Sequence, residues 1–183
     1  MRQNRGLLLK LHNSEYFIGL KKDTQNSFSF PAFVEKFFGN KINKKILNKI
    51  ETFLIKENRC YLEDTIKRFN REYFNENYNW ARFKRSYRRF GSLSSKRNIN
   101  ISYRLLFAPK KIFEYVCVHE LAHLKEFNHS KRFWAHVQRV MPEYKQYEKW
   151  LKENGHTLTI ANNLKEVACC DKNDRYFKSI RGA

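Results

Sequence analysis

The chain has 183 residues, 42% of them hydrophobic and 16% aromatic, enough apolar material for one packed domain, which excludes wholesale disorder and leaves little room for two complete domains. The 37 Lys and Arg against 18 Asp and Glu give a formal charge of +19. Such an excess favours encounters with nucleic acid or another polyanion, serves solubility equally well, and carries no information about chemistry. The four cysteines, Cys60, Cys117, Cys169 and Cys170, show no C-x-x-C spacing, which argues against a zinc ribbon and a disulfide scaffold. Lys10 and His12 interrupt the apolar run at residues 7–9, and no stretch is long enough to span a membrane, so the expected compartment is the cytoplasm.

Residues 1–43 mix short apolar stretches with polar breaks and read as an irregular or hairpin lead-in. From Lys44 to Asn75 there is no Pro or Gly, and Ile46, Ile50, Phe53, Leu54, Leu62, Ile66 and Phe69 recur at helical spacing, as one long helix or two. The period then changes. Ile99, Ile101, Tyr103 and Leu105 alternate with Asn98, Asn100, Ser102 and Arg104, the pattern of a half-buried strand. The stretch before it, with Trp80, Phe83, Tyr87 and Phe90 ahead of Gly91 and Ser92, supplies a neighbour in a small antiparallel sheet.

Pro109 suits the first position of a helix running to about Glu126. Ser130 caps the next, through about Val140. Pro142 opens a third, which Gly155 closes with a positive φ. Residues 44–156 thus form the domain, with an α+β fold, and residues 157–183 are expected as a basic, weakly ordered tail.

Within the first of these helices, residues 119–123 read H-E-x-x-H, so His119 and His123 share one helical face and can chelate one ion, with Glu120 beside it. Zinc prefers imidazole nitrogen, and a catalytic site needs three protein ligands and an open position for water, on which Glu120 would act as general base. His129 follows His123 by six residues. On an unbroken helix it would point about 240° away, so it serves as third ligand only if the helix ends first. Asn128 supplies the end and Ser130 the fresh start. His136 reads as a structural or surface histidine, and His12 and His156 have no visible metal partners. The six-residue step also occurs in metzincins, but their glycine is replaced here by Glu126 and no Met-turn is recognisable.

Residues 90–95 (F-G-S-L-S-S), Asn98-Ile99, Tyr103-Arg104-Leu105, Ala108-Pro109, the histidine segment 119–129, Phe133-Trp134, Trp150-Leu151 and Gly155 together resemble the YgjP-like metallopeptidase family in order and spacing. The family pattern has a tryptophan where this chain has Phe90 and a cysteine where it has Leu93. The resemblance implies a minimal zincin-like core, related to SprT and WLM metallopeptidases, with a small sheet packed on the active-site helix. It also implies one zinc per chain on His119, His123 and His129, and Glu120 as the catalytic carboxylate.

The expected activity is a zinc metallohydrolase acting on a peptide or protein, with an extended peptide aligned on the edge of the strand near residues 98–105. Two alternatives stand beside it: a nucleotide or phosphate-ester hydrolase on the same metal, and a nucleic-acid-binding module with structural zinc. Between Arg82 and Arg97 there are seven basic residues and no acidic ones, interleaved with Phe83, Tyr87 and Phe90. That mixture suits phosphate contact and base stacking, or simply a solvated strand face. Arg104, Tyr103 and Trp134 are candidate substrate-binding residues. Arg104 would orient substrate or stabilise developing negative charge, unless it is an ordinary surface arginine; Trp134 would wall the metal pocket, unless it only packs between helices.

Overall fold

The computed structural model describes residues 4–13, 15–19 and 44–169. In chain order the elements are β1 (Asn4–Lys10), β2 (Glu15–Gly19), α1 (Lys44–Glu57), α2 (Arg59–Phe69), β3 (Trp80–Lys84), β4 (Gly91–Leu93) and β5 (Asn98–Ser102). They continue with α3 (Lys110–Ala122), α4 (Lys131–Val140), α5 (Tyr144–Asn154), the single turn α6 (Ile160–Asn163) and β6 (Leu164–Cys169). The architecture is α+β, with two three-stranded sheets ordered β2-β1-β6 and β3-β5-β4.

The long helical stretch is two helices. They meet at buried Asn58, whose side-chain amide donates to the Leu54 carbonyl and whose backbone carbonyl accepts from Leu62 N–H. A π-helical turn, Asn70–Phe74, follows α2 and ends at Asn75, one of two non-glycine residues with positive φ among the described residues.

The second sheet is mixed. β5 forms an antiparallel hairpin with β4, as expected for sequence neighbours, but β3 pairs parallel to β5 on its other side, with Ala81 opposite Ile99 and Phe83 opposite Ile101. The stretch expected as the antiparallel neighbour thus pairs parallel, through β3, and the antiparallel partner is β4, in which Gly91 and Ser92 are strand residues rather than a turn. As the central strand, β5 is buried on both faces. Asn100, which accepts from Arg82, and Ser102, which donates to the Ser86 carbonyl, make up its polar face. The expected half-buried edge at residues 98–105 is thus an interior strand followed by a 3-10 turn, Tyr103–Phe107, and the unpaired strand edge beside it belongs to β4.

Helix α3 runs through the core, buried from Ile112 to Val118 and again at Leu121 and Ala122, and packs against α2, α4, α5, β4 and β5. Residues beyond 156 are not all tail. Leu158 and Ile160 are buried in the core, and β6 pairs antiparallel with β1, from Asn4 opposite Cys169 to Leu9 opposite Leu164. The few apolar residues there suffice because they are spaced to enter the core as the chain turns back; residues 170–183 lie outside the described part. The expected hairpin lead-in is β1 and β2, paired antiparallel, and residues 20–43 lie outside the described part as well. No helix among the described residues is long and apolar enough to cross a membrane.

Candidate metal centre and active site

His119 lies in the last turn of α3, and His123 is the residue after its last helical position. The helix ends sooner than the sequence suggests. Leu124 and Lys125 N–H groups bond to the carbonyls three residues back, which tightens the turn. The break therefore comes at residues 123–125 rather than at Asn128, whose φ is not positive. The chain then passes exposed Phe127 and returns His129 to the first two histidines. Ser130 caps α4 as expected, its hydroxyl accepting from Phe133 N–H at 3.3 Å.

The three imidazoles converge. His129 Nε2 lies 3.0 Å from His119 Nε2, and one nitrogen from each of the three rings falls within 4.8 Å of the others. No other group of potential ligands forms among the described residues. His123 Nδ1 sits 3.1 Å from the Glu126 carbonyl; with the proton on Nδ1, that bond leaves Nε2 as the free donor. Burial, then the neighbouring His123 and His129, lowers the His119 pKa to about 3, and burial also lowers that of His123. Neutral rings are the form that binds metal.

Phe133 is the common floor. It is fully buried, and its ring centroid lies 4.8, 4.5 and 4.7 Å from those of His119, His123 and His129. Trp134 stacks on His129 at 5.7 Å and on Tyr144 at 5.0 Å, so the most exposed ligand is braced by α5 through two rings.

Glu120 is buried, and its Oε2 has no hydrogen-bond partner among the described residues; burial raises its pKa to about 8. Gly91 faces it so closely that a Cβ there would lie 2.3 Å from Glu120 Oε1. Three converging imidazoles and a carboxyl group with no described partner on one wall fit a divalent cation, because the cation would balance the charge that burial disfavours. A cleft of about 480 Å³ opens over them, lined also by Arg89, Tyr115, Trp134, Glu148 and Lys152.

The family's sequence profile, described as YgjP-like, metallopeptidase domain, matches residues 6–154. The chain belongs to the YgjP-like metallopeptidase family. The family is described by its metallopeptidase domain, and in this chain three histidines converge where a metal ion could be held. A 58-residue stretch is 38% identical to the UTP pyrophosphatase of Escherichia coli (strain K12), covering 32% of this chain and 35% of that protein. The metallopeptidase zymogen abylysin of Pyrococcus abyssi superposes with a TM-score of 0.46 at 22% identity, over 50% of this chain and 93% of the other.

Of the candidate substrate-binding residues in this YgjP-like chain, Trp134 lines the cleft, whereas Tyr103 and Arg104 do not. Both lie on the 3-10 turn rather than on the strand that would have turned Arg104 outward. The Arg104 guanidinium donates to the carbonyls of Leu158 (2.8 Å), Tyr87 (3.0 Å) and Gly155, and so ties three segments together. Tyr103 donates to Glu51 at 2.6 Å. Gly155 has φ −59, so it closes α5 without the left-handed conformation. A Cβ there would lie 2.6 Å from the Phe90 ring, and close packing is what requires glycine. Tyr115, one turn before His119, and the pair Glu148 and Lys152 on α5 were not apparent as cleft residues from the sequence, although helical spacing places Tyr115 on the metal face.

Proposed function

We propose that the chain is a zinc-dependent hydrolase of peptide bonds, with His119, His123 and His129 holding the ion and Glu120 acting as general base. The observation that carries this reading is the buried Glu120 Oε2, unpartnered among the described residues, beside three converging imidazoles. A zinc ion bound there supplies a Lewis acid that polarises a substrate oxygen and acidifies water. Glu120 accepts a proton from the attacking water at Oε2 and delivers it to the leaving amine. His123 is held in one tautomer by the Glu126 carbonyl, Phe133 fixes the three rings against one another, and Trp134 covers His129. An extended peptide finds unpaired backbone groups on the outer edge of β4, whose Gly91 lines the cleft.

A second reading keeps these residues and changes the bond to a phosphoanhydride. Arg89 and Lys152 in the cleft wall support it, as does the partial similarity to a UTP pyrophosphatase. Zinc-loaded protein is assayed against unfolded peptides and nucleoside triphosphates, beside the Glu120→Gln variant. The variant should keep its zinc and lose turnover by about 10²–10⁴-fold. Undiminished turnover would remove the general-base assignment, and the favoured substrate class decides between the two bonds.

A further inference from the structure

A second cavity, of about 300 Å³, adjoins the metal cleft and shares Arg89 and Gly91 with it. Lys84 and Arg88 join Arg89 in its wall, with Ser86, Ser92 and Asn100 among the neutral groups, and among the described residues no carboxylate lines it. The metal cleft differs in charge. There Lys152 is paired to Glu148 at 2.9 Å, and Glu120 adds a second carboxyl group to the wall.

The basic run at residues 82–97 divides around this cavity. Arg82 donates to Asn100, Arg85 is paired with Glu51, and Arg97 with Glu76. The side chains of Lys84, Arg88 and Arg89 make no ion pair or hydrogen bond among the described residues. Three unopposed cations around one small concavity repel one another, an arrangement that an anionic ligand would relieve. A peptide's terminal carboxylate brings one negative charge, whereas a phosphate monoester brings about 1.5–2 and acceptor oxygens suited to the forked donors of arginine. Hydroxyl and amide side chains complete such a site as neutral donors.

We propose that this cavity is a phosphate subsite of the metal cleft, taking the phosphate chain of a nucleotide-class substrate whose reacting end lies across Gly91 beside Glu120. It rests on the phosphoanhydride reading above. Lys84, Arg88 and Arg89 are the charged contacts, and Arg89, common to both cavities, spans the two.

The test is a titration of the zinc-loaded full chain with inorganic phosphate, followed by amide NMR shifts at constant ionic strength, with acetate in a parallel series. Phosphate should give saturating shifts at Ser86, Arg89, Ser92 and Asn100. The Lys84→Gln/Arg88→Gln variant should raise the dissociation constant at least about tenfold, as expected for two lost charge-assisted contacts. A control with the same loss of charge, Lys56→Gln/Lys145→Gln, lines neither cavity and should change it less than about twofold. Equal weakening in both double variants, shifts confined to residues 119–129, or acetate binding as tightly as phosphate would each overturn the subsite. A nucleoside monophosphate should displace phosphate from these amides; stronger displacement by a phosphoserine peptide would overturn the nucleotide assignment. The readout is binding, so the subsite and the hydrolase reading fail separately: protein that binds phosphate here yet turns over no nucleotide refutes only the latter.

Discussion

The polar clusters around Glu51 and around Glu120 are finished differently. Around Glu51 every charged group is met: the carboxylate accepts from Tyr87 and Tyr103 at 2.6 Å each and is paired with Arg85 at 3.2 Å. Close by, Arg104 spends its guanidinium on three backbone carbonyls. Around Glu120 the opposite holds, with one carboxylate oxygen unpartnered and three imidazole nitrogens crowded together. A satisfied network helps to specify the fold, whereas an unsatisfied buried group calls for a separate cause, such as a ligand. The contrast sets the residues that hold the sheet to the helices apart from those of the candidate site.

The comparison is most easily broken at Arg104. Replacement by Met should remove the donor from three carbonyls and lower unfolding free energy by about 3–4 kcal/mol in urea titration, while the folded fraction still binds zinc. A loss below about 1 kcal/mol would mean that the knot is decorative. Gly91→Ala probes the other cluster. The new methyl forces the Glu120 carboxylate to move, so kcat should fall about 10–100-fold with zinc content unchanged, at a stability cost of about 1–3 kcal/mol. Unaltered kcat would show that the carboxylate position is not critical.

Tyr103→Phe is milder, because Glu51 keeps Tyr87 and Arg85. About 1–1.5 kcal/mol of stability should be lost, with zinc affinity and turnover intact. The smallest effect concerns His12, which lies 3.0 Å from the Tyr61 hydroxyl and whose pKa burial lowers. A lowered folded pKa means that the unfolded chain takes up protons more readily. Stability is therefore fully present above about pH 6.5 and is lost as pH falls from there through the folded value. Wild-type melting temperature should drop more between pH 7.5 and 5.5 than that of His12→Gln, the other histidines contributing equally to both. Parallel curves would remove this assignment.

Much of the site was legible because helical spacing is local. His119, Glu120 and His123 follow from residues one turn apart, and Ser130 announces the restart that returns His129. The position of the break was not legible, because a tightening of hydrogen bonds at Leu124 and Lys125 requires no special residue. Tyr103 and Arg104 were misplaced for a related reason: alternation persists into the 3-10 turn, so the sequence pattern does not mark where the strand stops. The parallel pairing of β3 with β5 is a long-range choice with no local signature, and only the burial of both faces of β5 betrays it. The role of Phe133 as a floor depends on three rings arriving from two segments, which no spacing rule shows.

The ladder between β1 and β6 also dictates when the molecule can be finished. Residues 4–9 leave the ribosome long before their partners at residues 164–169. Until then one edge of β1 lacks its partner strand, and the pairing links the most distant parts of the described chain. Loop closure of this length adds little to the free-energy cost of folding, but such pairings delay its completion. His119, His123, His129 and Glu120 all precede that strand, so the nascent domain presents the candidate site before this ladder closes.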